Sequence, residues 1–200
     1  MARLEMEYDI DRGWEFYKLM TAVIVPRPIA WVSTISVDGV ENLAPHSFFT
    51  VASATPAIIQ FTSIGHKDSL QNATDTGEFV VNLASRELFE EINASGTNYP
   101  AHIDEFDAVG IRREPSKVVR PSRVAESPVA LECRTEGTAD FGDSVVVFGR
   151  LVHVGIDEGV MVDGHPDIGK LDPLARLGKD QWSAIGDLLE IKRIPYESED

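Results

Sequence analysis

Apolar residues lie along this chain in short runs that alternate with polar residues or stand between turn residues, a pattern typical of β-strands. Branched and aromatic side chains dominate the runs, and glycine, proline or aspartate commonly separates them. The pattern predicts strands at residues 29–36, 48–54, 57–63, 79–83, 129–135, 144–156 and 188–194.

Helical spacing appears in only three short stretches. Residues 14–20 form the first, in which Trp14, Tyr17 and Met20 would pack together. The second runs from Asp68 or Ser69 to Thr76 and ends at Gly77. The third begins with Ser85 as N-cap, buries Leu88, Phe89 and Ile92, and ends at Gly96.

Turn residues mark the connections between these elements. Pro26 and Pro28 exclude a helix around these positions and favour an extended chain, and the pair Asp38-Gly39 predicts a tight hairpin turn. Residues 97–128 are polar, contain prolines and show no sustained period. A loop of that length inside a compact domain is usually functional or interfacial.

The predicted strands follow one another instead of alternating with helices. This order favours a mainly β (α+β) fold, an antiparallel barrel or sandwich with helices packed on it, over a doubly wound sheet. The chain has no GxGxxG motif, so nothing supports a Rossmann dinucleotide fold. Its 200 residues, 43% hydrophobic and 26% charged, predict one globular domain spanning residues 1–200.

Net charge and composition narrow the classes of partner. The formal charge of -15 repels nucleic-acid backbones but leaves room for a small phosphorylated ligand held by local donors. No apolar run approaches the roughly 18 residues that span a bilayer, and the acidic N-terminus is unlike a signal peptide. The single cysteine, Cys133, excludes an intrachain disulfide, so we expect a cytoplasmic protein without a membrane segment.

The predicted hairpin at residues 29–49 carries the first candidate chemistry. Its hydroxyl groups (Ser33, Thr34, Ser47) would lie near two small residues, Ala44 and Pro45. Small residues let a flat ring approach the backbone, and hydroxyl or amide groups bond its carbonyls and nitrogens. The alternative is an ordinary hairpin with a polar outer face.

The start of the second predicted helix carries another candidate site. Lys67 stands where a strand ends and a helix begins. A helix N-terminus presents unpaired N–H groups and partial positive charge, which suit a phosphate. A cation there opposes the helix dipole, so a bound anion would explain Lys67. The alternative is a plain N-cap at Asp68 or Ser69, with Lys67 in solvent.

Taken together, these segments resemble the flavin-reductase-like, FMN-binding split-barrel family, which includes flavoredoxin and the reductase components of two-component monooxygenases. No one segment is diagnostic; their order along most of the chain carries the resemblance. The segments are TAVIVPRPIAWVST (residues 21–34), NLAPHSFF (42–49), KDS (67–69), EFVVN (78–82), ESPVALEC (126–133), FGRLVHV (148–154) and PLARLG (173–178).

The resemblance implies a six-stranded antiparallel Greek-key split β-barrel with a few short helices, which dimerises and binds FMN near the subunit interface. Hydroxyls of residues 33 and 34 would meet the ring edge, residues 42–47 would hold the ring and ribityl chain, and residues 63–69 would bind the phosphate. The implied FMN-binding residues are Arg27, Ser33, Thr34, Asn42, Ala44, Pro45, Ser47, Ser63, Lys67, Ser69 and Asn82.

The sequence departs from the family pattern in two places. His46 stands where an aromatic or other residue is common, and residues 177–182 are looser than the glycine- and tyrosine-bearing version usual there. The five histidines show no metal-ligand spacing, so no metal site is expected. Cys133 lies in an alternating strand, where we expect it to be buried and inert.

The resemblance implies an oxidoreductase in which NADH or NADPH reduces the flavin, and electrons pass to free flavin, ferric iron or a partner protein such as a monooxygenase. No acid–base pair is predicted, since the cofactor carries the difficult step. Three alternatives are an FMN-binding electron carrier without NAD(P)H activity, a barrel that has lost FMN, and a reductase that uses flavin as a diffusing substrate. Residues 97–128 are the expected second wall of the pocket in a homodimer.

Overall fold

The structure is a computed structural model that describes residues 2–196, and antiparallel strands dominate it. The strands are β1 (Arg27–Pro28), β2 (Ala30–Ile35), β3 (Glu41–His46), β4 (Phe49–Ser53), β5 (Ile58–Ile64), β6 (Glu78–Leu83), β7 (Arg113–Glu114), β8 (Arg123–Val124), β9 (Val129–Phe141), β10 (Ser144–Ile156), β11 (Met161–Val162), β12 (His165–Pro166), β13 (Ala175–Arg176) and β14 (Trp182–Ser183). The helices are α1 (Gly13–Val23), α2 (Asp68–Thr76), α3 (Phe89–Ser95), α4 (Glu105–Val109) and α5 (Ile168–Leu171), with 3-10 turns at Ile10–Arg12, Arg86–Leu88 and Glu158–Val160.

Seven strands form the main sheet in the order β3-β2-β6-β9-β10-β5-β4. The two edge strands, β3 and β4, are consecutive in the chain and separated only by Ser47 and Phe48. The sheet must therefore curl until its edges meet, although no ladder joins them within residues 2–196. The six-stranded barrel implied by the resemblance is corrected to seven strands, because β4 pairs with β5 and extends the sheet at its edge.

Six of the seven predicted strands are present in this sheet, together with β3. The hairpin turn at residues 38–39 is confirmed: Gly39 has φ 89°, and the Ser36 amide donates to the Val40 carbonyl at 2.8 Å. Strand β9 runs six residues beyond its predicted end, because it pairs with β10 along nearly its whole length.

The strand predicted at residues 188–194 is wrong for this chain taken alone. Those residues form no ladder with any other part of the chain that the structure describes. Their apolar side chains project into solvent, with Leu189 95% and Ile191 93% exposed. A strand needs a hydrogen-bonded neighbour, and the pattern of apolar residues cannot reveal whether one is within reach.

Both faces of the central strands β2 and β6 are buried, which explains their nearly continuous apolar runs. One cluster contains Phe61, Phe79 and Val147 between the sheet and α2. A Cβ added at Gly149 would lie 2.1 Å from Phe79 Cζ, so this glycine is required for the Phe79 ring to pack. The second cluster, on the other face, contains Trp31 and Phe106 together with residues of α3.

The three predicted helices are present as α1, α2 and α3, with differences in what they bury. Gly77 ends α2 in the left-handed conformation, φ 72°. The Ser85 hydroxyl makes no capping bond, and the turn it precedes begins as a 3-10 turn. Phe89 is 40% exposed instead of buried, because it packs edge-on against Trp182. Much of the apolar surface of α1 is also exposed, including Trp14.

Residues 97–128 contain α4, β7 and β8 and are held to the sheet by buried polar contacts. Arg123 Nε donates to Glu132 Oε1 at 2.8 Å, and both side chains are buried. Burial acts to raise the pKa of Glu132, but hydrogen bonds from the Lys117 and Val118 amides and from Arg123 outweigh it and lower the pKa. The segment is therefore an integral part of the fold. Within the described residues, no helix is long and apolar enough to cross a membrane.

Candidate functional site

A cavity of about 480 Å³ opens where the end of β3, the β5–α2 connection and the loop after α3 come together. That volume lies within the roughly 300–1,000 Å³ of small-molecule sites. Its walls are formed by Tyr17, Asn42, Ala44, Pro45, His46, Ser47, Phe48, Thr62, Ile64, Gly65, His66, Lys67, Asp68, Ser69, Ser95, Gly96, Thr97, Asn98, Tyr99 and Glu105.

The beginning of α2 forms the polar end of the cavity. Lys67 is the N-cap residue and makes no side-chain capping bond, so first-turn amides at Asp68 and Ser69 are without a capping side chain. The Lys67 ammonium donates to Asn98 Oδ1 at 3.1 Å, which links the helix start to the loop after α3. Helix amides, a partial positive charge and an ammonium group together form an anion-binding arrangement.

Asn42 links the polar end of the cavity to the wall formed by β3. Its Oδ1 accepts a hydrogen bond from the Ser69 hydroxyl at 2.9 Å, and its Nδ2 donates to Glu105 Oε1 at 3.0 Å. The Leu43 amide donates to Glu105 Oε2 at 3.1 Å. The Ser69 hydroxyl is thus engaged within the protein, and Ser69 offers a ligand its backbone amide.

Glu105 is a buried carboxyl group in the wall of this cavity. Burial raises its pKa above the ordinary value, more than the bonds from Leu43 and Asn42 lower it. Burial thus disfavours the charged form of this carboxyl group, while the hydrogen bonds from Leu43 and Asn42 favour it.

His46 places a neutral imidazole in the cavity wall. Burial lowers its pKa to about 4, so the ring is uncharged at neutral pH. Its Nδ1 lies 3.4 Å from the Thr62 carbonyl, which can only accept, so Nδ1 carries the proton. Nε2 is then an acceptor, and it is buried without a partner in the part of the chain that the structure describes.

Small and aromatic residues shape the rest of the cavity. Ala44 and Pro45 line the strand side, and a Cβ added at Gly96 would lie 3.3 Å from Pro45 Cγ. Tyr17 of α1 stacks on Trp14 and lies 6.5 Å from the Phe48 ring centroid. The strand side is therefore lined by small residues and has an aromatic border.

The structure brings six of the eleven predicted site residues together in this cavity. They are Asn42, Ala44, Pro45, Ser47, Lys67 and Ser69. Five others do not line it: Arg27, Ser33, Thr34, Ser63 and Asn82. Thr34 does not line the cavity but contacts the wall residue Asn42. Its hydroxyl donates to Asn42 Oδ1 at 3.4 Å and accepts a hydrogen bond from Asn72.

The hydroxyls of Ser33 and Ser63 are engaged inside the protein. Ser33 donates to the Ser122 carbonyl at 2.6 Å and accepts from Asn82 at 3.2 Å, while Ser63 donates to the Gly65 carbonyl at 2.9 Å. Asn82 also accepts from the Val124 amide at 2.9 Å. These contacts fix the sheet and the 122–124 segment.

Arg27 is buried beside a neighbouring groove. Its guanidinium donates to the carbonyls of Thr21, Ile24 and Leu177 at 2.6, 2.9 and 2.8 Å. Burial lowers its pKa, and its main contacts are structural bonds that join α1 to the C-terminal part of the chain.

The sequence did not predict several residues of the cavity wall. One is Tyr17 of α1. The others are Asn98, Tyr99 and Glu105 of the 97–128 segment, in which the sequence shows no periodic pattern. His46 was visible only as a departure from the family pattern. Within residues 2–196, no group of three or more His, Cys, Asp or Glu side chains is placed to hold a metal ion.

Comparisons with known proteins show which family the chain is similar to. The model of the flavin reductase like domain matches residues 21–168. An uncharacterized protein of Aquifex aeolicus is 36% identical over 172 residues, which cover 83% of this chain and 88% of that protein.

Solved structures share the fold over nearly the whole chain. Nitrilotriacetate monooxygenase component B from Bacillus cereus has a TM-score of 0.87 and 27% identity, covering 95% of this chain and 100% of that chain. A structure from Shewanella frigidimarina described as having a split barrel domain has a TM-score of 0.82 and 20% identity, covering 96% of this chain and 100% of that chain.

Proposed function

This chain belongs to the flavin reductase-like domain family, and we propose that it is an FMN-dependent oxidoreductase whose electron donor is NADH or NADPH. The observation that carries the proposal is that one cavity has the start of helix α2, with Lys67, at one end and the small residues Ala44 and Pro45 on its strand side. A flavin mononucleotide has the matching parts, a phosphate at one end and a flat ring at the other.

The residues present fit FMN in this cavity. Lys67 and the first-turn amides of α2 would hold the phosphate, and Asn42 keeps that end in register with β3. The buried Nε2 of His46 is an acceptor without a protein partner among residues 2–196, which suits a ligand with N–H or O–H donors. Thr34, Ser33, Ser63 and Asn82 would support the walls from behind.

When bound, the flavin supplies the redox chemistry by accepting a hydride from the reduced nicotinamide. The chain's own groups would orient the bound ligand and shield it from water. Tyr17 and Phe48 border the cavity and reduce its contact with water, while His46 stays uncharged because burial lowers its pKa to about 4. The hydroxyl of Ser47, on the rim, is available to a ligand as donor or acceptor.

In this proposal, the electrons pass onward to free flavin, ferric iron or a partner protein. The structural relative from Bacillus cereus is a component of a monooxygenase, which favours a partner protein as the acceptor. The alternative is an electron carrier that binds FMN without oxidising a nicotinamide. The proposal also places the protein in a reducing compartment, the cytoplasm, with Cys133 buried and its pKa raised to about 12 by burial.

A homodimer is part of this proposal. The apolar side chains of α1 and of residues 185–196 lie largely in solvent, and large exposed apolar surface marks an interaction site. A second copy would cover this surface, and the predicted strand at residues 188–194 would gain a neighbour.

The test is retention of FMN followed by a turnover assay. Protein is incubated with FMN, freed of unbound flavin by gel filtration, and assayed with NADH or NADPH and excess free flavin as acceptor. Retained flavin with turnover supports the proposal, whereas retained flavin without turnover supports the electron carrier. Turnover without retention indicates a diffusing flavin substrate. A protein with neither property is a barrel that does not use FMN.

A further inference from the structure

A second cavity, of about 220 Å³, adjoins the FMN site. Pro45, Ser47 and Gly96 line both cavities, so a ligand in one would lie beside a ligand in the other. The far wall of the smaller cavity is formed by Arg176 of β13 and Trp182 of β14. Trp182 falls in the stretch, residues 177–182, where the sequence departs from its family pattern, whereas Arg176 lies in the segment PLARLG that resembles the family.

The placement of Arg176 is unfavourable without a ligand. It pairs directly with Arg27 across the β1–β13 ladder, and like charges opposite each other destabilise a strand pair. Burial lowers the pKa of Arg27, and the charge of Arg176 lowers it further. Arg27 is held by three backbone carbonyls, although its buried Nε has no partner among the described residues. Arg176 is partly exposed and lines the smaller cavity, so its donors are the ones that a ligand there would meet.

Arg176 has little anionic compensation within the described residues. The one carboxylate within 4 Å is that of Asp180, at 3.8 Å and fully exposed to solvent. The Arg176 guanidinium instead lies 4.9 Å from the centre of the Trp182 ring. Stacking on an aromatic ring fixes the guanidinium plane and leaves its in-plane N–H groups free for a bidentate anion. In a chain of net charge -15, such an arginine is well suited to a specific anion.

We propose that Arg176, held by Trp182, binds a phosphate of the nicotinamide nucleotide in the smaller cavity and so brings the donor to the FMN site. This assignment rests on the proposed function. Ser47 lies at the junction of the two cavities, where the two ligands would meet.

The first experiment measures binding without turnover. Wild type, Arg176→Met and Arg176→Lys are titrated with NAD+ by calorimetry in the FMN-loaded state, with Arg150→Met as a matched control on the exposed Arg150–Glu136 pair. We expect Arg176→Met to weaken NAD+ binding about 10- to 100-fold, the range for a lost charge-assisted hydrogen bond, and Arg176→Lys to weaken it less. Unchanged NAD+ affinity in Arg176→Met overturns the subsite.

The second experiment compares NADH with N-benzyl-1,4-dihydronicotinamide, a neutral hydride donor without phosphate. In Arg176→Met we expect a higher KM for NADH, an unchanged kcat, an unchanged rate with the neutral donor and an unchanged FMN affinity. An equal loss with both donors, or a raised KM for the acceptor alone, overturns the assignment. If the wild type binds no FMN or oxidises neither donor, the proposed function itself fails, whereas loss of FMN affinity only in the variant shows that Arg176 acts on the fold.

Discussion

Glu105 accepts a hydrogen bond from Asn42 Nδ2 at 3.0 Å and a second from the Leu43 amide, which fixes α4 against β3 at the wall of the cavity. Through Asn42 this bond continues to the Ser69 hydroxyl at the start of α2. The phosphate end and the ring end of the proposed FMN site are therefore held at a set spacing by one buried polar network.

Glu105 also makes stability depend on pH. Burial raises its pKa, so the folded protein keeps this proton to a higher pH than the unfolded chain does. Its stabilising contribution is complete below the unfolded value, about 4.3, and is lost as pH rises through the folded value. We expect wild type to lose stability relative to Glu105→Gln as the pH rises above about 4.3, measured by urea unfolding. A difference that stays constant with pH would contradict this.

Lys67 should contribute to the affinity for the phosphate and not for the ring. We expect Lys67→Met to weaken FMN binding about 10- to 100-fold, as for one charge-assisted hydrogen bond, and to leave riboflavin binding unchanged. Fluorescence titration with both flavins measures this. Lys170→Met serves as the control, because Lys170 is bonded to the Gly159 carbonyl outside the cavity wall. Equal weakening for FMN and riboflavin would place the phosphate elsewhere.

The buried Arg123–Glu132 pair should be a main support of the 97–128 segment. Arg123→Met leaves the Glu132 carboxylate buried without its cation, and we expect a loss of about 3–5 kcal/mol of unfolding free energy. The matched change is Arg150→Met, which breaks the exposed pair with Glu136 and should leave stability nearly unchanged. Urea unfolding of both variants checks the contrast, and equal losses would refute the role assigned to burial.

Removal of residues 184–200 should convert a dimer into a folded monomer. These residues follow β14, and the apolar side chains among them that the structure describes are largely exposed. Light scattering after size-exclusion chromatography at micromolar concentration measures the mass, and circular dichroism checks the fold. A chain that ends at Tyr196 is the control and should remain dimeric. A dimer that survives the longer truncation would show that another surface forms the interface.

Local sequence signals predicted the parts of the site that are close together in the chain. Ala44, Pro45 and Ser47 are neighbours at the end of one strand, and Lys67 marks a helix start that glycine and capping residues reveal. Glu105 could not be predicted, because its bond to Asn42 spans 63 residues and leaves no periodic signal. Ser33 was expected at the site because hydroxyls suit a flavin, and Asn82 because the family resemblance implied it. Ser33 instead bonds to the Ser122 carbonyl, a partner 89 residues away.

The strands and hairpins followed from alternation and turn residues, with errors in the number of strands in the sheet and at the C-terminal end. The family resemblance implied six strands, but the pairing of Phe49 with Phe61 across the β4–β5 hairpin adds β4 at the edge and makes seven. The apolar residues at 188–194 read as a strand because such runs usually have a neighbour. Within this chain the described residues supply none.

The measurement that tests the central claim most directly is the absorbance spectrum of the FMN-loaded protein, mixed anaerobically with NADH and separately with NADPH. We predict that the bands of the oxidised, protein-bound flavin are retained after gel filtration and bleach with at least one nucleotide at a rate consistent with turnover. Retained bands that bleach with neither nucleotide would contradict an NAD(P)H-dependent oxidoreductase.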